Sequence, residues 1–275
     1  MSKEARCDLH LHTHCSDGAL PPRQLIELAH QQGLRTLALT DHDTLDGVPA
    51  AAAAGRELGI DVIPGIELSV LHAERDLHLL GYFITAPRVL EDVLQAMVES
   101  RLSRAHAMVQ RLTALGLPIE FEAVRARARG RIVGRPHVAE ELVARGYVPD
   151  TDTAFERWIG DGAPACIPKS TLGLAEGAAL LRAAGGVTSL AHPHVYGIGS
   201  ELIAQLAGLG VTGLEVWHPS HDAATTEKYL GWATQHGLVA TGGSDFHRPA
   251  PGGILPGDLG VTREQLERLR ARVPA

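Results

Sequence analysis

Lysine is nearly missing from this chain of 275 residues: Lys3, Lys169 and Lys228 are the whole supply. Aromatic residues make up only 4%, and cysteine occurs three times, at Cys7, Cys15 and Cys166, with no C-x-x-C pair. An odd and widely spaced cysteine set excludes a disulfide framework and points to a reduced, cytoplasmic protein. Basic excess is absent too. A formal charge of −7 excludes a general nucleic-acid coat, which relies on surplus positive charge. It leaves room for a small phosphorylated substrate gripped by a few local cations. Charged or turn residues interrupt every apolar run, and the opening MSKEARCDLH has no apolar segment, so neither a membrane span nor a signal peptide is expected. No segment announces an obligate protein partner. What the chain has instead is histidine, 15 residues of it, on a background 45% hydrophobic and long enough to bury one large core.

Short apolar runs alternate with helical patterns from the start. Residues 7–11 read as a strand, 22–32 as a helix with proline in its first turn and Gly33 past its end, 34–40 as a strand, and 48–58 as an alanine-rich helix closed by Gly59. Strands follow at 60–68 and 77–84. After Pro87 the rhythm stops: 89–117 is helical, and 120–129, 136–145 and 153–159 read as short helices. Strands return at 187–191, 213–217 and 238–242, separated by helices at 201–209 and 223–236, with a last helix from Arg263. A βαβα rhythm implies a mostly parallel sheet. The expectation is an α/β barrel in two parts, 1–100 and 166–275, interrupted over 101–165 by a small helical domain that caps the substrate.

The polar residues fall at the ends of those strands. His10 and His12 close the first, Asp41, His42 and Asp43 the second and Glu67 the third, while His78 lies in the fourth. His192 and His194 end the strand at 187–191, Glu215 and His218 the next, and Asp245 and His247 follow the last. Parallel barrel strands bring their C-terminal ends to one face, where active sites form. Imidazole and carboxylate gathered there suit divalent transition metals, and the spacing His10-x-His12 turns both rings to one side of a strand. His30, His72, His106, His221 and His236 fall on helices or loops and are expected to be solvent-exposed. His14 keeps the alternation and is expected either to pack behind the other polar side chains or to pack in the loop.

The stretches DLHLHTHCSDG, TDHDT, PGIE, HLLGY, AHP and SDFH occur in this order between residues 8 and 247. Together they resemble the polymerase and histidinol phosphatase (PHP) superfamily of metal-dependent phosphoesterases. GRPH at 134–137, with the helical insertion, resembles the subgroup that holds nucleoside 3',5'-bisphosphate phosphatase and RNase AM-type 5'-to-3' exonuclease. The resemblance implies a distorted (β/α)7 TIM-like barrel with two or three divalent metal ions, manganese foremost and zinc or iron as alternatives. It implies that His10, His12, Glu67 and Asp245 hold the first metal and that Glu67 bridges to a second completed by His78 and His192. Asp17, His42 and His247 would hold a third. Some members have histidine where Asp17 stands, and a carboxylate, the harder ligand, favours manganese. Hydrolysis would proceed by in-line attack of a hydroxide generated on the metals. Asp17, His42, Glu67, His192, His194 and Asp245 are then the catalytic residues, with Ser16 and Cys15 left to turn and packing.

Specificity must come from cations outside the metals. Five arginines lie between Arg125 and Arg135, most of them expected to form a solvated helix face. Arg135, at a helix start between Gly134 and Pro136, is placed for a phosphate, where free backbone N–H groups add to a bidentate guanidinium. Lys169, in a proline-bounded loop, His137 and His194 are further candidate substrate contacts. Helix capping is the alternative for His137, and His194 could instead protonate the leaving oxygen. A second anion site suggests the 3'-phosphate of a nucleoside 3',5'-bisphosphate as the bond cleaved, leaving the 5'-monophosphate. The same cations could hold the 5' end of a short oligonucleotide, giving exonuclease action, whereas histidinol phosphate needs no second anion site. Two other classes stay open: an amidohydrolase cleaving C–N bonds, and a non-catalytic metal-binding module. No lysine at a predicted strand end and a full ligand set weigh against them.

Overall fold

The apolar patterns of the first sixty residues build two βα units. The structure, a computed structural model, describes residues 6–168 and 172–274. Strand β1 (Arg6–Asp8) pairs in parallel with β2 (Thr36–Leu39), and β2 with β3 (Asp61–His72). Helices α1 (Pro22–Gln31) and α2 (Val48–Leu58) connect them, each with proline in its first turn, where an N–H would lack a helical acceptor anyway. Gly59, at φ +70°, ends α2 in the left-handed conformation that favours glycine. Leu25, Ile26 and Ala29 of α1 and Ala51 and Ala54 of α2 bury against Leu37 and Leu39 of β2, which sets the helices outside the sheet. β1 is shorter than the strand expected over 7–11, so His10 and His12 lie just beyond its ladder. Their extended path is held by Leu9 N–H donating to Gly242 O (3.2 Å) and His12 N–H to Phe246 O (3.0 Å). Those bonds also tie the strand Val239–Gly242 and the loop after it back to the first strand.

The sheet is mostly parallel, as expected, but departs from that order at its fourth strand and at its last. β3 turns back into β4 (Arg75–Tyr82) as an antiparallel hairpin, and β4 pairs antiparallel with the strand Val187–Leu190. A short strand β5 (Leu172–Gly173) lies beside β3, so Val187–Leu190 is β6. Parallel order resumes with β7 (Gly213–Trp217) and β8 (Val239–Gly242), and β9 (Val261–Thr262) adds antiparallel to β1. The result is a mixed α/β, nearly closed, TIM-like barrel.

Between β4 and β5 comes the helical segment. Its members are α3 (Glu91–Ala114), α4 (Phe121–Arg127), α5 (Arg135–Ala144) and α6 (Thr151–Ala154), the last running into a π-helical turn, Phe155–Ile159. They share an apolar cluster of their own, with Met108, Leu112, Val124, Val138, Leu142 and Ile159 at its heart. Helices α7 (Leu174–Ala183), α8 (Ser200–Gln205), α9 (Ala223–Gln235) and α10 (Arg263–Arg270) flank the remaining strands.

The arginine run is not simply a solvated face. Arg129 donates to Ala19 O in a barrel loop (3.2 Å), and Arg127 and Arg145 each place Nε 2.7 Å from a carboxylate oxygen of Glu141. Glu141 is only 3% exposed. Burial opposes its ionisation, but the two guanidiniums outweigh it and hold its pKa below the usual glutamate range. A depressed folded pKa gives stability that is present above the unfolded value of about 4.3 and is lost as pH falls through the folded one. Glu141→Gln is therefore expected to lower the melting temperature at neutral pH and to flatten its decline below about pH 4. Parallel melting curves for both proteins across that range would show that the pair contributes nothing.

Candidate metal centre

At the C-terminal rim of the barrel the histidines and carboxylates converge. His10, His12 and Glu67 are each 0% exposed. Glu67, inward on β3, is the hub. Its Oε2 lies 3.1 Å from His10 Nε2, 3.2 Å from His12 Nε2 and 3.1 Å from His42 Nδ1; its Oε1 lies 2.8 Å from His78 Nδ1 and 2.9 Å from His192 Nε2. Asp245 Oδ1 adds 3.3 and 3.1 Å approaches to the Nε2 atoms of His10 and His12. Asp17 Oδ1 stands 3.3 Å from His247 Nε2, and its Oδ2 3.7 Å from His42 Nε2. Among the described residues three sets have donor atoms near enough to share an ion: His10, His12, Glu67 and Asp245; His42, Glu67 and His78; and His12, Asp17, His42 and His247.

These approaches are mostly not hydrogen bonds. Among the described residues, neither buried ring nitrogen of His12 has a hydrogen-bond partner, and Nδ1 of His42 and of His192 is orphaned as well. Orphaned buried nitrogens cost free energy unless something accepts their lone pairs. Separations near 3.1 Å match the edge between two ligands that each stand about 2.1 Å from one divalent ion. Nitrogen and carboxylate donors are what such an ion takes, so the residues fit it.

The charges agree. Burial alone would raise Glu67, Asp17 and Asp245, but the surrounding histidines hold all three well below the usual carboxylate range, so they stay anionic. Burial pushes His42 down to about 4, leaving its ring neutral, as a ligand must be. Burial works against a charge on His12 also, but Asp245 and Glu67 lift it to about 10, so an ion bound there must displace a proton.

A frame of buried groups aims these side chains. Asp8 accepts from the backbone N–H of Ser244 (2.9 Å), Gly257 (2.8 Å) and His10 (3.3 Å), so it ties β1 to the loop carrying Asp245. Asp41 accepts from Thr13 N–H (2.7 Å), Thr13 Oγ1 (2.6 Å) and Ser16 Oγ (2.7 Å), which fixes the turn that presents Asp17. Nδ1 of His247 lies 2.9 Å from the Asp245 carbonyl and turns Nε2 toward Asp17, while His218 Nε2 sits 3.2 Å from Asp245 Oδ2. Gly243 passes so close behind His10 that a Cβ there would lie 2.4 Å from the His10 nitrogen. Asp43, His192 and Asp245 hold positive φ values of 50°, 26° and 48°, strain of about 1–3 kcal/mol each that the surrounding bonds sustain. Asp8 has a signal in the sequence, since it shares the period-two face of His10 and His12. Asp41 is marked only by its place at the end of the second strand.

The candidate substrate contacts fare differently. Arg135 opens α5 with its guanidinium 2.6 Å from Asp161 Oδ1 and over the ring of Phe155. His137 Nδ1 accepts from Gly134 N–H at 3.0 Å, capping its own helix. Lys169 lies outside the described residues. His194 is exposed at the rim, its ring against His221 rather than among the metal-facing nitrogens. His221, expected in solvent, is half-buried and stacked on Tyr229. Arg101 and Arg104 on α3 carry no motif that marks them in the sequence. Arg101 pairs with Asp43 and Ser69, and Arg104 donates from Nε to Ile167 O at 2.8 Å. Burial first, then the neighbouring charges of Arg135 and Arg101, push Arg104 down to about 10. Arg101 borders the centre through Asp43, and Arg104 lies near enough to Arg101 and Arg135 to feel their charges. Among the described residues no helix is long and apolar enough to cross a membrane.

Comparison with known proteins gives this centre its context. A PHP domain matches residues 8–119. The chain is 36% identical to a 3',5'-nucleoside bisphosphate phosphatase of Chromobacterium violaceum, with 94% of this chain and 92% of that protein aligned. It is 33% identical to a 5'-3' exoribonuclease of Haemophilus influenzae, over 88% and 90% of the two chains. A crystal structure assigned as a metal-dependent phosphoesterase from Bifidobacterium adolescentis superposes with a TM-score of 0.89 at 30% identity, covering 98% of this chain and 96% of that one. One from C. violaceum, named an amidohydrolase and holding sulfate without metal, gives 0.90 at 33% identity over 98% of each. Likeness of this extent to proteins so named settles the relationship: the chain belongs to the PHP family of metal-dependent phosphoesterases.

Proposed function

We propose that the protein removes the 3'-phosphate of nucleoside 3',5'-bisphosphates, leaving the nucleoside 5'-monophosphate. The observation that carries this is the group of guanidiniums Arg101, Arg104 and Arg135, of which Arg101 borders the metal centre through Asp43 and Arg104 feels the charges of the other two. Arg101 is already neutralised by the buried Asp43, but the partner of Arg135 is the exposed Asp161, which a substrate phosphate can replace on that guanidinium. A substrate with one phosphate at the metals and another at Arg135 satisfies both sites. On this reading residues 101–165 form the substrate cap.

His10, His12, Glu67 and Asp245 would hold a first metal; Glu67, His78 and His192, with His42 nearby, a second; and Asp17, His42 and His247 a third. Manganese suits a set that includes Asp17. Such ions, when bound, polarise phosphoryl oxygens and acidify water. The chain's own residues do the rest. Glu67, with one oxygen toward the first set and the other toward the second, would fix the spacing of those two. Asp8, Asp41 and the His247 ring bond keep ligands aimed, so little reorganisation accompanies the reaction. Arg135 fixes the far phosphate and with it the in-line orientation at the near one. The amidohydrolase reading wants a bridging lysine inside the barrel. Among the described residues the single lysine is Lys228, exposed on α9 over Tyr229 and Trp232.

Phosphate release by manganese-loaded protein, measured on a nucleoside 3',5'-bisphosphate, a 5'-phosphorylated oligoribonucleotide and histidinol phosphate, tests the reading. The bisphosphate is expected to show the highest kcat/KM; equal or greater activity on histidinol phosphate overturns it. Arg135→Ala should raise KM for the bisphosphate roughly 10-fold or more, the worth of a charge-assisted bond, and leave a nucleoside 3'-monophosphate nearly unaffected.

A further inference from the structure

Glu215 is a carboxylate at 0% exposure in the middle of β7, between Leu214 and Val216. A buried charge persists in such a place only when both oxygens are well partnered. Oε1 lies 3.0 Å from His10 Nδ1, and Oε2 accepts the backbone N–H of His192 at 2.7 Å. His10 belongs to the set with His12 and Asp245, whereas His192 approaches the other oxygen of Glu67. We propose that Glu215 is a positioning residue that ties two metal sites together, holding a ligand of each with one carboxylate.

Its two contacts act differently. A carboxylate beside His10 Nδ1 keeps the proton there and leaves the Nε2 lone pair facing Glu67 and Asp245. At His192 the bond fixes backbone, in a residue whose φ of 26° few side-chain-bearing residues adopt. Glu215→Ala removes both supports. Glu215→Gln removes one. The His192 N–H is a donor locked in the chain, so the amide oxygen must face it and the amide NH2 must face His10. Two donors cannot meet, so His10 shifts its proton to Nε2, the nitrogen that should hold metal.

This inference rests on the proposal that the clusters hold metal, and its test does not use phosphate release. Metal-stripped protein is titrated with manganese by calorimetry, with melting curves as the check on folding. Glu215→Ala is expected to weaken two binding steps, each by about 10- to 100-fold. Glu215→Gln is expected to weaken one by a like factor and spare the other, the spared step being the one that His192→Ala removes. Wild-type affinity at both steps in Glu215→Ala overturns the proposal, and so does equal weakening of both in Glu215→Gln. If the wild-type protein itself takes up no manganese, zinc or iron, the metal reading fails instead.

Discussion

Glu67→Gln is expected to strip metal from more than one site at once and to lower kcat/KM by roughly 10³-fold or more. The change keeps the shape of the side chain and alters only its charge and one acceptor. That suffices, because Glu67 has no spare oxygen: Oε2 faces His10, His12 and His42, and Oε1 faces His78 and His192. Whichever way the amide turns, an NH2 group points at nitrogens whose lone pairs should converge on a cation. The anionic charge that Glu67 would supply to two ions is also gone. Metal analysis should therefore show a loss greater than one equivalent, where His78→Ala, on one oxygen only, loses about one. Since ligands of one centre act as a unit, adding Asp245→Ala to Glu67→Gln should lower turnover little further. Full metal content in the Gln variant would show that Glu67 does not bridge.

The second large effect is on stability and comes from the join between barrel and insertion. Arg101→Leu is expected to cost about 3–5 kcal/mol, the usual penalty for stranding one partner of a buried ion pair, and to lower Tm by roughly 6–20 °C. Asp43 is the stranded group. Its side chain is 0% exposed, its Oδ1 accepts from Ser69 N–H at 2.7 Å, and its Oδ2 faces the Arg101 guanidinium with Nε at 2.7 Å. Burial opposes the Asp43 charge, and Arg101 is the main group that overcomes it, holding the carboxyl below its ordinary pKa. Removing the arginine leaves an ion without its counter-charge next to His42. Asp43→Asn combined with Arg101→Leu should recover much of the loss, because the uncompensated charge goes with it. Thermal melts of the two single variants and the double variant check this; a double variant no better than Arg101→Leu would assign the loss to packing of α3 rather than to charge.

How much of this can be read without coordinates differs from feature to feature. The period-two run Asp8, His10, His12 puts three polar side chains on one face of a strand wherever that strand ends up. Clustering of His, Asp and Glu just after apolar runs follows from the same local pattern, as does the helical periodicity of 91–114. The turn from β3 to β4 gave no such warning. Its two turn residues, Ala73 and Glu74, take positive φ (47° and 64°) without the glycine or asparagine that marks such a hairpin, so the strand pair reads like another parallel unit.

Composition and local pattern by themselves therefore determined an acidic, lysine-poor α/β chain, its helical insertion and a stock of metal-type ligands at strand ends. Only the tertiary structure decided which ligand faces which: that Glu67 stands between sets, that Glu215 serves both His10 and His192, and that Arg101 reaches Asp43 across 58 positions. The physical reason is range. Periodicity reports the direction of a side chain relative to its own backbone, whereas a shared ion, a buried pair or a common carboxylate depends on where distant strands lie when the barrel closes.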